Sequence, residues 1–367
     1  MDSIIKNVVS SAQSERPVIN NNEQDEELLQ VLRQHQARIK VIGIGGGGNN
    51  TLDRISEIGV EGAKTIAINT DAQDLIETKA ERKILIGKEL TRGLGAGAVP
   101  KVGEEAAREQ ETELRDALKD SDMIFITCGM GGGTGTGAAP VIAEMSKKSG
   151  ALVVGVVTVP FAMEGSRRYE NGMLGLEKME KFVDTLIVIP NEKLLEIAPN
   201  LPLHTAFKLA DEVLTNAVKG ITELVTKNGL INLDFADIKT VMTDAGMAMI
   251  GLGESDSENR AEESVERALN NPLLAVDLRQ ASGALVNVTG GSDMTLDDAR
   301  KIVAKVSETL DEDAKIIWGA QIMEDLHKII KTMVVITGVK SDQIRGRKRI
   351  EKEINDSNNE LGLEFIK

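Results

Sequence analysis

Asp122-Met-Ile-Phe-Ile-Thr-Cys-Gly-Met-Gly-Gly-Gly-Thr-Gly-Thr-Gly137 is the stretch on which the fold of this chain turns. An apolar run, Met123 to Ile126, feeds a loop of five glycines and two threonines between 131 and 137. A helical pattern follows over 138–148. Strand, glycine loop and helix N-terminus together form an anion site, because free backbone N–H groups and the positive helix end face the phosphate. Glycine lets the backbone approach oxygen atoms closely, and threonine hydroxyls donate further hydrogen bonds. No lysine follows the glycines, so this is not the Gly-x-x-x-x-Gly-Lys-Ser/Thr loop. The segment predicts polyphosphate binding without that lysine.

Outward from this loop, apolar runs at 39–44, 65–69, 83–86, 122–128, 151–159 and 184–190 predict strands. Helical patterns lie at 48–58, 103–119, 138–148 and 170–182. Most of the strands are continuously apolar, as expected where both sheet faces are covered. Alternating strand and helix imply an α/β fold with a mostly parallel sheet, whose ligands bind beyond the carboxyl ends of the strands. A long helix follows over 205–227, about 33 Å at 1.5 Å per residue. Its apolar residues cover more than one face, which suggests burial between two bodies. Asn228-Gly229 supplies a stop signal. Strands near 247–252, 284–289, 315–320 and 332–338 make a second α/β body. The expected division is an N-terminal extension 1–37, a phosphate-binding domain 38–204, a central helix 205–228, a C-terminal α/β domain 229–340 and a polar tail 341–367. Ile4, Ile5, Val8, Val9 and Ala12 form a short apolar stripe in the extension, read as a helix that docks on the body or frays, or else as a partner or membrane contact.

Composition narrows the function classes. The 367 residues carry a net charge of −15, which argues against nucleic acid or an anionic membrane surface as partner. Copies of the chain repel one another, so self-association needs specific contacts. Cys128 is the sole cysteine, and His35, His204 and His327 lie far apart, leaving no internal disulfide and no Cys/His metal cluster. The longest apolar run, 151–163, spans 13 residues with a proline inside, short of the roughly 20 a membrane span requires. Together with the absence of a signal-peptide pattern at the start, this predicts a cytoplasmic protein with no direct membrane insertion.

Further constellations surround the first. Val41-Ile-Gly-Ile-Gly45-Gly46-Gly47-Gly48-Asn49-Asn50 satisfies Gly-x-Gly-x-x-Gly, with Asp71 23 residues beyond Gly48. Alone this fits a dinucleotide fingerprint. Two glycine loops on neighbouring strands, however, converge better on one triphosphate. Asn69-Thr-Asp71 brings a carboxylate and an amide near the phosphates, suited to water-mediated Mg²⁺ binding or to a plain turn. Gly93-Leu-Gly95-Ala96-Gly97 is a third glycine-rich loop, able to close over a terminal phosphate. Glu164 and Arg168 are four apart after a strand; they form a local ion pair, or Glu164 accepts from ribose hydroxyls and Arg168 faces base or phosphate. Asp234 and Asp237 suit the start of a helix, and equally could orient a water for attack on a γ-phosphate. Across the long helix they could reach only the nucleotide of a neighbouring copy.

These residues resemble the tubulin/FtsZ GTPase family over about 38–340. The resemblance rests on Gly-Gly-Gly-Thr-Gly-Thr-Gly (131–137), Asn-Thr-Asp-Ala-Gln (69–73), Gly-Leu-Gly-Ala-Gly (93–97), Pro-Phe-x-x-Glu-Gly-x-x-Arg (160–168), Ile-Pro-Asn-Glu-Lys-Leu (189–194) and Asn-Leu-Asp-Phe-Ala-Asp (232–237). It implies a tubulin/FtsZ-like α/β fold, with a GTP-binding domain and a second domain joined by the central helix. It implies GTP hydrolysis, head-to-tail filaments and a role in cell division, at the division site and through membrane-tethering division proteins. By position it places phosphates on Gly45, Gly46, Gly47, Gly48 and Asn49, on Gly95, Ala96 and Gly97, and on Gly131, Gly132, Gly133, Thr134, Gly135, Thr136 and Gly137. Asn69 and Asp71 would lie beside them. Glu164 and Arg168 would contact the ribose side, Phe207 would stack on guanine, and Asp211 would accept from its N1/N2 edge. Asp234 and Asp237, with Asn232, would act in trans. The implied ligands are GTP/GDP, Mg²⁺ and, as an optional second cation, K⁺. Asn49-Asn50 departs from the usual bacterial Asn-Ala, and the tail lacks the bacterial tether peptide; Gly362–Lys367 could serve a different tether or fray. Two alternatives stay open: an NAD(P)-dependent oxidoreductase and a GTP-gated scaffold with little hydrolysis.

Overall fold

β-branched runs build the first half of the molecule as a parallel sheet. The computed structural model describes residues 37–199, 202–227, 229–231, 233–274 and 278–339. The expectations for the extension at 1–36, for Asn228 and Asn232, and for the tail from Lys340 onward lie outside the described residues. Six strands, β1 (Ile39–Ile44), β2 (Ala63–Asn69), β3 (Arg82–Leu85), β4 (Met123–Gly129), β5 (Leu152–Val159) and β6 (Thr185–Pro190), stand in the order β3-β2-β1-β4-β5-β6, all parallel. Every residue of β5 is buried, and β4 is buried up to its last residue. Strand order reverses between β1 and β4, and the crevice beyond that switch point is where such sheets place ligands.

The helices of this half are α1 (Gly45–Ile58), α2 (Ala72–Glu77), α3 (Pro100–Glu109), α4 (Glu111–Leu118), α5 (Thr134–Lys148), α6 (Ser166–Met179) and α7 (Asn191–Ile197). Next runs α8 (Leu203–Thr226), 24 residues, about 36 Å long. Ala210, Val213, Leu214, Ala217, Val218, Ile221 and Leu224 are buried along it. The remainder comprises α9 (Phe235–Met242), β7 (Gly246–Ser255), α10 (Arg260–Leu269), β8 (Gly283–Gly290), α11 (Leu296–Thr309), β9 (Lys315–Ile322) and β10 (Ile330–Thr337). β7 joins β6 in parallel through three residue pairs, Thr185↔Gly246, Leu186↔Met247 and Ile187↔Ala248. β10 then runs antiparallel to both β7 and β8, and β9 closes the edge beside β8. The result is one ten-stranded sheet with an apolar cluster on each face. Among the described residues no helix is long and apolar enough to cross a membrane.

Several helices begin earlier than the sequence pattern predicts, among them the two that follow the main glycine loops. α1 starts at Gly45 rather than 48, and α5 at Thr134 rather than 138, so the glycines form the first helical turns. Glycine is a poor helix former, but here close approach decides. A Cβ on Gly137 would sit 1.9 Å from the carbonyl oxygen of Pro100, where α3 crosses α5. The expected helix over 103–119 is two helices that meet at Gln110, whose side chain turns aside to accept the Gly87 N–H at 2.9 Å. Gly137→Ala is therefore expected to cost about 1–3 kcal/mol of stability through overpacking. Gly132→Ala, with open space around its Cβ, should shift the denaturation midpoint far less. Equal midpoints for the two variants would refute this account of the α3–α5 contact.

Candidate functional site

Each of the two main glycine loops ends in a helix N-terminus that no side chain caps. Ile44 before α1 and Gly133 before α5 both lack a side-chain cap hydrogen bond. The first N–H groups of both helices are thus available to an anion. The loops press together: a Cβ on Gly45, at φ +69°, would lie 3.0 Å from Gly135 N, and one on Gly47 3.1 Å from Gly129 N. The third loop is fastened to them. Gly133 N–H donates to Gly97 O at 2.9 Å, Gly95 N–H donates to Thr70 O at 3.1 Å, and the Thr70 and Thr134 hydroxyls lie 2.7 Å apart. Together they wall a cavity of about 560 Å³ beyond β1 and β4, within the range of small-molecule sites. A second cavity of about 500 Å³ lies between α1, α8 and the C-terminal strands, and no residue of the three glycine loops lines it.

Gly45, Gly46, Gly47, Asn69, Asp71, Gly95, Ala96, Gly97, Gly132, Gly133, Thr134, Gly135, Glu164, Arg168, Phe207 and Asp211 line the larger cavity. Gly48, Asn49, Gly131, Thr136 and Gly137 stand behind its wall. Gly48 packs against Thr127 O, leaving no room for a side chain. Thr136 Oγ1 accepts the Gly131 N–H at 2.8 Å, which shapes the loop. Asn49 is buried and donates to Asp74 Oδ2 at 2.7 Å. Asp74 also accepts from Asn69 at 2.6 Å and lines the cavity, as does Asn191. Sequence reasoning passed over both. Asp74 sits three residues after Asp71, on the same helix face, and Asn191 lies in the Ile-Pro-Asn run. Asn191 is 4% exposed, and its Oδ1 has no hydrogen-bond partner among the described residues.

The charged groups sort by their partners. Asp71 caps α2, Oδ1 accepting from Gln73 N at 2.9 Å and Asp74 N at 3.3 Å. Its Oδ2 faces Gly95, 3.7 Å from where a Cβ there would sit. Among the described residues no group of three or more acidic, histidine or cysteine side chains could hold a metal. Glu164 and Arg168 pair at 2.8 Å, and Glu164 also accepts the Phe161 N–H at 2.9 Å. Phe207, 38% exposed at the start of α8, is held edge-on by buried Phe161 with ring centroids 5.2 Å apart. Asp211, one turn further along α8, is half-buried, and burial alone pushes its pKa up to about 7.

Asp234 and Asp237 lie elsewhere. Asp234 occupies the N-cap of α9, and its N–H donates to Asp237 Oδ2 at 3.2 Å. Both carboxylates are exposed. Fifteen helical residues separate Asp211 from Thr226, about 22 Å, and the Asp234 segment follows that end. A single chain does not bring these carboxylates to the cavity.

Residues 38–199 match the model of the Tubulin/FtsZ family GTPase domain, and residues 246–340 match that of the FtsZ family C-terminal domain. The chain is 63% identical over 318 residues to cell division protein FtsZ 1 of Methanocaldococcus jannaschii, covering 87% of each. This chain belongs to the tubulin/FtsZ family of GTPases. A solved empty FtsZ dimer from M. jannaschii matches with a TM-score of 0.83 at 62% identity, over 87% of this chain and 93% of that one. The fold alone extends to CetZ2 of Haloferax volcanii, solved as a GTPγS-bound protofilament: TM-score 0.73 at 19% identity, over 88% and 99% of the two chains. As an FtsZ-family GTPase the chain has no support for the oxidoreductase alternative. The Gly-x-Gly-x-x-Gly run that suggested it is one wall of a cavity whose other walls are two further glycine loops.

Proposed function

We propose that this GTPase binds GTP in the cavity beyond β1 and β4, stacks head to tail, and hydrolyses the nucleotide only where two copies meet. The observation that carries this reading is a separation. Two uncapped helix N-termini, Phe207 and Asp211 converge on one cavity, while the exposed Asp234–Asp237 pair sits past the far end of α8. The glycine-loop N–H groups hold the phosphates, Phe207 stacks on the base, and Asp211 accepts from guanine N1 and N2, a donor pair that adenine does not present. Asp234 and Asp237 of the next copy orient a water in line with the γ-phosphorus. As the new P–O bond forms, the bond to the β–γ bridging oxygen breaks. The N–H groups of 132–135 stabilise the charge on the phosphate oxygens. Mg²⁺, bound with the nucleotide, supplies charge neutralisation on the phosphates. Asp71 Oδ2, outside the α2 cap, would hold one of its waters.

The relative named cell division protein FtsZ 1 and the solved FtsZ dimer support placing this chain in a cytoplasmic division-site filament. Its further partners there would be membrane-tethering proteins. The test is GTP hydrolysis per molecule against protein concentration, with Mg²⁺ and K⁺ present and light scattering recorded alongside. Specific activity should vanish below a threshold that coincides with the onset of scattering. Constant specific activity on dilution would make each chain a complete enzyme and end the shared-site reading.

A further inference from the structure

We propose that Thr185 and Asp184, at the start of β6, are positioning residues that aim Asp234 and Asp237 by holding the opposite end of α9. This rests on the shared-site reading above. α9 is two turns long, about 12 Å, with Asp234 and Asp237 at its first turn and Met242 at its last. Its buried face, Ile238, Val241 and Met242, packs in the core. Apolar contact is non-directional and does not fix how the rod is tilted or rotated. Polar contacts do. The fully buried Thr185 hydroxyl donates to Met242 O at 2.6 Å, satisfying a carbonyl that the helix end leaves without an intrahelical partner. Asp184, also buried, accepts from Val153 N at 2.9 Å through Oδ2. Its Oδ1 takes Lys147 Nζ at 2.5 Å and Asp244 N at 3.4 Å. Lys147 reaches on to Asp244 Oδ1 at 2.9 Å, clamping the turn that follows α9. That turn is tight: Asp244 has φ +48°.

The same strand ends at the larger cavity: Pro190 closes β6, and Asn191, the first residue of α7, lines the cavity wall. β6 therefore joins a chain's own nucleotide site to the carboxylates it offers its neighbour, by a route separate from α8.

The test compares Thr185→Val, Thr185→Ser and Asp237→Ala in the full chain under polymerising conditions. Thr185→Val keeps shape and removes the hydroxyl. It should lower kcat in the polymer by about tenfold while GTP affinity and the assembly threshold stay within roughly twofold, since small misplacement acts on the chemical step. Thr185→Ser, which restores the donor, should recover most of the rate. An unchanged kcat in Thr185→Val, or a parallel loss of GTP affinity that serine does not repair, overturns the proposal. Should the valine variant fail to fold, Lys147→Gln cuts the network at its half-exposed end. It should lower kcat about threefold with KM unchanged; an unaltered kcat there overturns the proposal equally. Asp237→Ala separates the two layers. Full hydrolysis in that variant sinks the shared-site reading itself, whereas a dead Asp237→Ala beside a fully active Thr185→Val sinks only the positioning role.

Discussion

Asp237→Ala is expected to bind GTP and assemble as the unaltered chain does, while hydrolysis in the polymer falls by about 10²–10⁴-fold, the scale of a lost general base or water-orienting group. The expectation follows from where the side chain is. Asp237 is exposed, its side chain accepts one hydrogen bond among the described residues, from Asp234 N–H, and it is not among the residues that line the glycine-loop cavity. Removing it takes no contact from the bound nucleotide within the same chain. Its role in the capping box of α9 has a cost, about 0.5–2 kcal/mol by analogy with caps elsewhere, which is too small to unfold a chain of this size. Filaments of the variant should persist after GTP is supplied, since turnover depends on hydrolysis. Two measurements decide: phosphate release per assembled subunit, and nucleotide content after gel filtration. A variant that loses its nucleotide would place Asp237 at its own chain's binding site and refute the trans assignment. Mixing sharpens the point. Asp237→Ala copies have intact cavities, so a minority of unaltered copies should restore hydrolysis at each junction where they contribute the carboxylate.

The parallel sheet was legible because its strands are apolar on both faces. β1, β4, β5 and β6 start and stop within a residue of the runs that announced them. Helix starts were less so. Gly45–Gly48 and Thr134–Gly137 look like loop by propensity, and only the contacts of Gly45 with Gly135, of Gly48 with Thr127 and of Gly137 with Pro100 show why a helix tolerates them. Packing overrode propensity there, and packing between distant segments is what a single sequence does not display.

The cavity was legible in a different way. Gly45–Gly47, Gly95–Gly97 and Gly132–Gly135 carry a chemistry, close backbone approach to anions, that composition and spacing reveal directly. Residues that work through a partner were harder to see. Asp74 looks like an ordinary surface carboxylate of a short helix, yet it holds the amides of both Asn49 and Asn69. Phe161 looks like one more apolar residue after a strand, yet its ring packs perpendicular to that of Phe207. The Asp74–Asn49 and Phe161–Phe207 contacts join segments more than twenty residues apart, which local periodicity does not encode.

Asp211→Ala is expected to lower GTP affinity by about 10²–10⁴-fold and leave ATP affinity nearly unchanged, because two hydrogen bonds to a charged acceptor are worth about 1.5–3 kcal/mol each. The unaltered site has a pH signature that tests the same assignment. In the empty protein burial pushes Asp211 up to about pKa 7, against about 3.9 for an unfolded aspartate. The folded chain binds the extra proton between these values. That contribution to stability is fully present below about pH 4 and lost as pH rises through 7. Guanine reverses the preference. Its N1–H and 2-amino group both donate, so they require the ionised carboxylate, and binding below pH 7 must expel a proton. GTP affinity should therefore rise with pH, by up to about tenfold per unit between pH 5 and 7, and level off above. Asp211→Asn, which carries no titrating group, should flatten the profile over that range. Binding measured at pH 6 in two buffers of different ionisation enthalpy reads the released proton directly. No proton release, together with an affinity for GTP that ignores pH and survives Asp211→Ala, would remove Asp211 from guanine recognition and leave Phe207 as the sole base contact on α8.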